Sequence, residues 1–356
     1  MNKKLLDIYT DYLISQNQSA TATGLSKLLD GDISHDQITR FLHKEEFSQK
    51  QLWKYVKKQV REHEQEANGV FIVDDTIEEK PYTDESDIVC WHHSHAKGTH
   101  VKGINILSGL IRYDDFSVPI TFETIRKDLH FCDLKDKKEK RKSSISKNAL
   151  FRNMVQQACK NKVKFSYVLA DNWFGAKKNM EFIHYDIQKH FIFGMKSNRL
   201  VALSKSDKKK GRYQSIKSLD IEDKEVKTVW LKNLSFPVRL LKKVFKNENG
   251  IGTLYLVTND LNINANHMYD IYQKRWRIEE YHKSIKQNTS LEKSPTKVVR
   301  SQKNHIFASI IAYCKLEFLK MKTAMNHFAL KYKLIIKANQ TAYNELQKMR
   351  KMQPTA

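Results

Sequence analysis

Cysteine is scarce in this sequence and badly placed for any shared task. Cys90, Cys132, Cys159 and Cys314 lie far apart and none belongs to a CxxC pair, which argues against a disulfide framework and a zinc ribbon and leaves reduced thiols. Long apolar runs are missing too: none approaches the ~18 residues of a membrane span. The opening MNKKLLDIYTDYL interrupts its hydrophobic residues with Asp and other polar side chains, so no secretory segment is read there. The expectation is a cytoplasmic chain with no membrane partner. Internal repeats are absent as well. Acidic residues are the minority, Asp+Glu 40 against Lys+Arg 63, a net charge of +23 over 356 residues. Such a surplus calls for a polyanionic partner or a basic tail. The lysines cluster at 135–148, 205–212, 241–246 and 316–351, so one tail does not account for them.

What is present divides by texture. Residues 1–66 read as helical, with apolar Leu25, Leu28 and Leu29, then Ile38, Phe41 and Leu42, separated by the turn DGDIS. Ser34 and Gln37 form a capping box, and the helix they open would present His35, Gln37 and Arg40 outward, where Gln and Arg suit base edges. A helical packing module with polar surface residues fits the same pattern. Strands follow at 69–75, 103–113 and 116–125, the last two around a tight Tyr-Asp-Asp break. Then come a lysine-rich connection, a helix near 147–160, a buried strand KFSYVLADN (164–172), a helix near 177–189 and a strand at 191–196. Together these make a mixed α/β core over 67–197. Short alternating runs at 198–256 read as a β-rich insertion. A long helix from about 264 to 287 and another near 302–322 complete a second core part (257–322), and a basic helical region (323–356) ends the chain.

Three carboxylates stand out. The first strand ends in Asp74-Asp75 and a later core strand ends in Asp171, as α/β folds do when they present acids at the carboxyl edge of a sheet. Aspartates at strand ends are also ordinary turn residues. Strand alternation sends Asp74 and Asp75 to opposite faces, so one of them at most joins such a site. In IYQKRWRIEEYHKSIKQ, residues Tyr272, Arg275, Glu279 and Lys286 fall at offsets 0, 3, 7 and 14. At about 100° per residue an unbroken helix gathers them into an arc of roughly 60° and leaves Glu280 outside it. Such a stripe is by itself a solvated face with an i,i+4 pair.

Asp74 with Thr76 in an Asp-x-Thr context, Asp171 in ADNWF, and the Tyr272, Arg275, Glu279, Lys286 spacing resemble the DDE insertion-sequence transposases, in particular the cut-and-paste group with a YREK signature and a β-rich insertion before the glutamate. The resemblance spans about residues 66–322. It implies an RNase H-like core whose Asp74, Asp171 and Glu279 hold two Mg²⁺ or Mn²⁺ ions, with Asp75 the alternative to Asp74. Hard carboxylate oxygens suit Mg²⁺, and two such ions serve phosphoryl transfer. It further implies that Tyr272, Arg275 and Lys286 contact phosphates near the transposon end, and that Trp230 in the insertion stacks a flipped base, although a tryptophan packed within a sheet fits there too. The expected protein is a bacterial, nucleoid-associated transposase that binds terminal inverted repeats, cuts there and joins 3′-hydroxyls to target DNA, as a homodimer on DNA. Rival readings are a metal-dependent nuclease on the same core and a non-catalytic DNA-binding protein.

The segment CWHHSHAKGTH (90–100) invites a metal-site reading through its four histidines. His92, His93 and His95 alternate along an extended segment, and neither helical i,i+4 nor paired-knuckle spacing occurs. The expectation is a basic turn, with Lys97 and Lys102 adding positive charge near DNA.

Overall fold

The computed structural model describes residues 2–94, 97–134, 137–247 and 250–351. Two compact units emerge, one of residues 57–77 and 87–279, the other of residues 1–56, 78–86 and 280–356.

The larger unit is built on one mixed sheet. Strand β1 (Val70–Glu79) opens with Val70 to Val73, all essentially inaccessible, as expected of a strand covered on both faces. β2 (Val89–Ser94) and β3 (Thr99–Tyr113) form a hairpin. β3 and β4 (Phe116–Thr124) form a second one around Asp114-Asp115, where Asp114 takes φ +45°. A separate ribbon of β5 (Leu129–Asp133) and β6 (Lys138–Lys142) precedes α5 (Lys147–Lys160), which packs on β3 and β4. β7 (Tyr167–Ala170) lies parallel to β1 and to β8 (His190–Met195). Between β7 and β8 runs α6 (Lys177–Glu181), continued by a π-turn over Phe182–Ile187. With the hairpin of β3 and β4 beside β1 on one side and the parallel β7 and β8 on the other, the core has an RNase H-like strand order.

The insertion adds β9 (Leu200–Ala202), α7 (Lys205–Lys209), β10 (Gln214–Ser215), β11 (Val226–Leu231), β12 (Val238–Asn247) and β13 (Gly250–Thr258). These strands form no sheet of their own. β13 pairs with β8, so the order runs β10-β9-β11-β12-β13-β8-β7-β1-β3-β2, with β4 also on β3.

The second unit is helical. It holds α1 (Lys3–Ser15), α2 (Ala22–Leu28), α3 (His35–Lys44) and the start of α4 (Gln49–His63). Ser34 and Gln37 close the capping box at the start of α3. α8 (Ala265–Gln273) precedes α9 (Trp276–Asn288), whose later turns belong to this unit with α10 (Val299–Thr323) and α11 (His327–Lys351). α10 is buried almost all round and packs against α1, α3 and α11. No helix of the described residues is long and apolar enough to cross a membrane.

The single helix expected over 264–287 is two. Lys274 and Arg275 bond back to Ile271 and Tyr272, and Arg277 and Ile278 to Lys274 and Arg275. These i→i−3 bonds tighten the chain where α8 meets α9. Tyr272 and Arg275 therefore do not share one regular helix with Glu279 and Lys286, and the 60° arc of an unbroken helix does not hold for the four.

Candidate active site

The parallel register places the first two acids. Ile72 of β1 faces Leu169 of β7, so Asp74 and Asp171 each follow two residues later at the same edge. Asp75 points the other way, as strand alternation requires. It accepts bonds from Asn105 Nδ2 at 2.6 Å and Lys147 Nζ at 2.8 Å.

The third acid arrives on α9. Glu279, in its first turn, brings a carboxylate oxygen within 4.8 Å of one on Asp74. Arg275, in the break, sits between them, its Nη1 donating to Asp74 Oδ2 at 3.1 Å and to Glu279 Oε1 at 3.4 Å. The tight turn that removes Arg275 from a regular helix thus leaves its guanidinium bridging the two acids. Asp171 stands further out: among the described residues the three carboxylates are not all within 4.8 Å of one another.

The electrostatics are those of too little cation. Burial, then the neighbouring Asp171, push the Asp74 carboxyl up to about 7, against the pull of Arg275. Asp171 is also raised, mainly by burial, although it accepts the Trp173 backbone N–H at 3.0 Å. One guanidinium leaves these acids only partly compensated. The donor set fits a divalent metal: hard oxygens, partly desolvated, with unrelieved mutual repulsion.

The remaining expected residues divide by place. Tyr272 lies in the last turn of α8 and is buried, its ring 5.7 Å from the Arg275 guanidinium. Its hydroxyl approaches Gly194, where an added Cβ would lie 3.3 Å from it and 3.0 Å from the Asn172 nitrogen. Lys286 belongs to the helical unit, near the end of α9, and pairs with Glu292 at 3.0 Å. Gln37 and Arg40 are exposed on α3, but the Gln37 side-chain oxygen is committed to the Ser34 backbone N–H at 2.9 Å. Trp230 is half-buried on β11, with the ammonium groups of Lys208 and Lys205 at 5.1 and 6.0 Å from its ring.

Two features were not singled out from sequence. Trp173, two residues after Asp171, is 49% exposed, with Lys147 Nζ 5.4 Å from its ring. It also borders a cleft of about 600 Å³ to which Lys177, Lys196, Arg199 and Lys232 contribute. The signal for Trp173 lay in ADNWF itself, whereas the cleft gathers lysines from segments that sequence spacing does not connect.

The histidine segment is a strand pair. His92 is buried opposite Val101, and His93 meets His100 across the hairpin with ring centroids 5.3 Å apart. Gly98 turns the chain at φ +64°. His95 lies outside the described residues.

A family model described as "DDE superfamily endonuclease" matches residues 1–222. Another, "Transposase DDE domain group 1", matches residues 118–335. No curated protein matches the sequence. Among solved structures the chain is similar to the Drosophila P element transposase strand transfer complex, at 9% identity and a TM-score of 0.25 over 51% of this chain and 34% of that one. The match thus takes in about a third of that protein's length. Each family model covers more than half of the sequence, and the chain belongs to the DDE superfamily of endonucleases and transposases.

Proposed function

We propose that this chain is a DNA transposase that binds the terminal inverted repeats of a mobile element, cleaves there and joins the freed 3′-hydroxyls to target DNA. The observation that carries the reading is the meeting of Asp74 and Glu279 within 4.8 Å from sequence positions two hundred residues apart, with Asp171 in register beside Asp74. Asp74, Asp171 and Glu279 would hold two Mg²⁺ or Mn²⁺ ions, while Asp75 is turned toward Asn105 and Lys147. When bound, such ions lower the pKa of an attacking water or hydroxyl and stabilise the leaving oxygen of the scissile phosphate.

The chain's own groups then position the DNA. Arg275 fixes the orientation of Asp74 and Glu279 and, with Tyr272, meets phosphates near the cleavage point. The cationic cleft beside Trp173 extends that phosphate track. Arg40, and Gln37 through its free amide nitrogen, read base edges in the repeat. Trp230, flanked by Lys205 and Lys208, offers a face for a displaced base. Two ends are handled together, so two copies of the chain act on one DNA.

The test is cleavage and joining of a labelled duplex carrying the ends of the DNA segment that encodes the chain. In Mg²⁺ the wild type should cut and join, and Glu279→Gln and Asp74→Asn should lose both activities by about 10²-fold or more while retaining the duplex. Cutting without joining would favour the nuclease reading. Binding without cutting in Mg²⁺ or Mn²⁺ would overturn the catalytic claim.

A further inference from the structure

The ribbon of β5 and β6 has no place in the large sheet. Among the described residues its two strands pair only with each other, and no residue of either is buried. A lone two-stranded hairpin is marginal in water, so this one depends on its roots and on whatever covers its faces. Both roots are fixed. On entry, Arg126 pairs with Asp87 at 2.6 Å, and Lys127 Nζ donates to the Trp91 carbonyl at 2.5 Å. On exit, Ser144 donates to Asp128 from its backbone N–H and its hydroxyl, at 2.9 and 2.7 Å. Shortly after, Lys147 opens α5 and holds Asp75, the neighbour of Asp74. A two-stranded arm is thus rooted close to the acidic cluster.

The arm carries more cation than it can neutralise. β6 reads KEKRK, four cations to one acid. The acids of the ribbon are taken up inside it: Asp133 accepts from Lys140 at 2.6 Å, and Glu139 meets His130 at 2.5 Å. Register sorts the two faces. Leu129 lies opposite Lys142, Phe131 opposite Lys140 and Asp133 opposite Lys138. Cross-strand partners share a face, so Leu129 and Phe131 stand beside a row of three lysines about 6.7 Å apart. His130 and Arg141 occupy the other face. Leu129 and Phe131 are 43% and 37% exposed, with Lys142 Nζ 5.4 Å from the Phe131 ring. A lysine row alone is an ordinary solvated face. A lysine row framing exposed apolar side chains on a free-standing ribbon has a more specific match. The major groove of B-DNA, about 12 Å wide, admits a two-stranded ribbon and offers thymine methyl groups between walls of phosphate.

We propose that β5 and β6 form an arm that lies in the major groove of the duplex brought to Asp74 and Asp171. Lys138, Lys140 and Lys142 meet the phosphates of one groove wall, and Leu129 and Phe131 turn toward the base edges. Charge selects the partner: a polyanion is attracted, whereas a second copy of a chain of net charge +23 is repelled. Lysine meets phosphate as a point charge, and apolar contacts register only thymine methyls. The arm therefore adds affinity for duplex DNA of any sequence and leaves recognition of a repeat to other surfaces. The inference rests on the proposed transposase reading for the identity of the polyanion.

The experiment is fluorescence anisotropy of the full chain in a chelator, with two labelled duplexes. One carries the ends of the DNA segment that encodes the chain, and the other is of unrelated sequence. Lys138→Gln, Lys140→Gln and Lys142→Gln together should weaken binding of both at least tenfold, with unchanged circular dichroism and melting. Each lost phosphate contact takes about 0.9 from the slope of log affinity against log salt, so the slope should fall by about 2 to 3. The groove is read by Phe131→Cys in a Cys132→Ser background. A disulfide should form with a thiol tethered at C5 of thymine, in the major groove, and not with one at N2 of guanine, in the minor groove; Cys132→Ser alone should form neither. Unchanged affinity and slope in the triple variant would overturn the proposal, as would cross-linking at guanine instead. So would a triple variant that keeps its DNA affinity but loses self-association in sedimentation, which would assign the ribbon to a second copy. Because binding is read without metal, a wild type that grips DNA through the arm and never cuts counts against the cleavage reading alone. A wild type that cuts, beside a triple variant that binds as before, counts against the arm alone.

Discussion

Asp74 serves conflicting ends in the metal-free chain. Its carboxylate must be ionised to ligate a cation, yet burial and Asp171 push the carboxyl up to about 7, with Arg275 pulling the other way. Because this folded value lies above the ordinary one of about 4, the stability it contributes is complete below pH ~4 and is lost as pH rises through about 7. Asp74→Asn removes the titration and keeps the shape. Without metal, the variant should therefore be more stable than the wild type at pH 8 by ~1–3 kcal/mol, with no such advantage at pH 4. Denaturant unfolding in a chelator at the two pH values checks this, and equal stability at pH 8 would remove the electrostatic account of the site. The same substitution should abolish cleavage, so stability and function pull apart at one residue.

At the level of elements, the strand ends were legible and the helix break was not. Apolar runs ending in Asp74 and Asp171 show in the sequence because burial on both faces demands consecutive apolar residues and the polar edge follows at once. Nothing in 265–288 is proline or glycine, so periodicity runs unbroken through Lys274 and Arg275, where the chain departs from the α-helix. That departure accompanies a tertiary contact, the Arg275 guanidinium between Asp74 and Glu279, which no local pattern encodes. The insertion was legible as β-rich, but its pairing through β13 to β8 depends on partners far apart in sequence. Another such junction is Gly194, where β8 passes close to the segment after β7 and to α8. A methyl there would lie 3.0 Å from the Asn172 nitrogen, so Gly194→Ala must displace the backbone next to Asp171 by a few tenths of an ångström. Cleavage should fall about tenfold or more, since small misplacements are costly in catalysis, while unfolding free energy drops by only ~1–2 kcal/mol. Full activity with an intact melting curve would show that the segment yields without disturbing Asp171.

Across the whole molecule, proton binding works in opposing directions. Asp74 in the larger unit and Glu78 in the helical one carry carboxyls raised to about 7, both chiefly by burial. His92 and His305, again one per unit, are held down at about 4, also chiefly by burial. For the histidines the folded value lies below the ordinary 6.5, so their stability is complete above pH ~6.5 and is lost as pH falls toward about 4. The two pairs offset each other over the same window, and the wild-type curve understates both. His305 is the better one to isolate. Its Nε2 faces the Ser290 and Leu291 carbonyls at 3.0 and 3.2 Å and must carry the hydrogen, so Nδ1 accepts from the Tyr9 hydroxyl at 2.9 Å. A second proton at Nδ1 would turn that acceptor into a donor pointed at a hydroxyl that burial keeps protonated. His305→Gln retains hydrogen bonding and cannot titrate. Its destabilisation relative to wild type should be larger at pH 7 than at pH 4.5 by ~1–3 kcal/mol, read from denaturant unfolding at both. A pH-independent difference would mean that His305 stays neutral in the unfolded chain as well, or is protonated without cost in the fold, and the opposed-titration account would fail at that site.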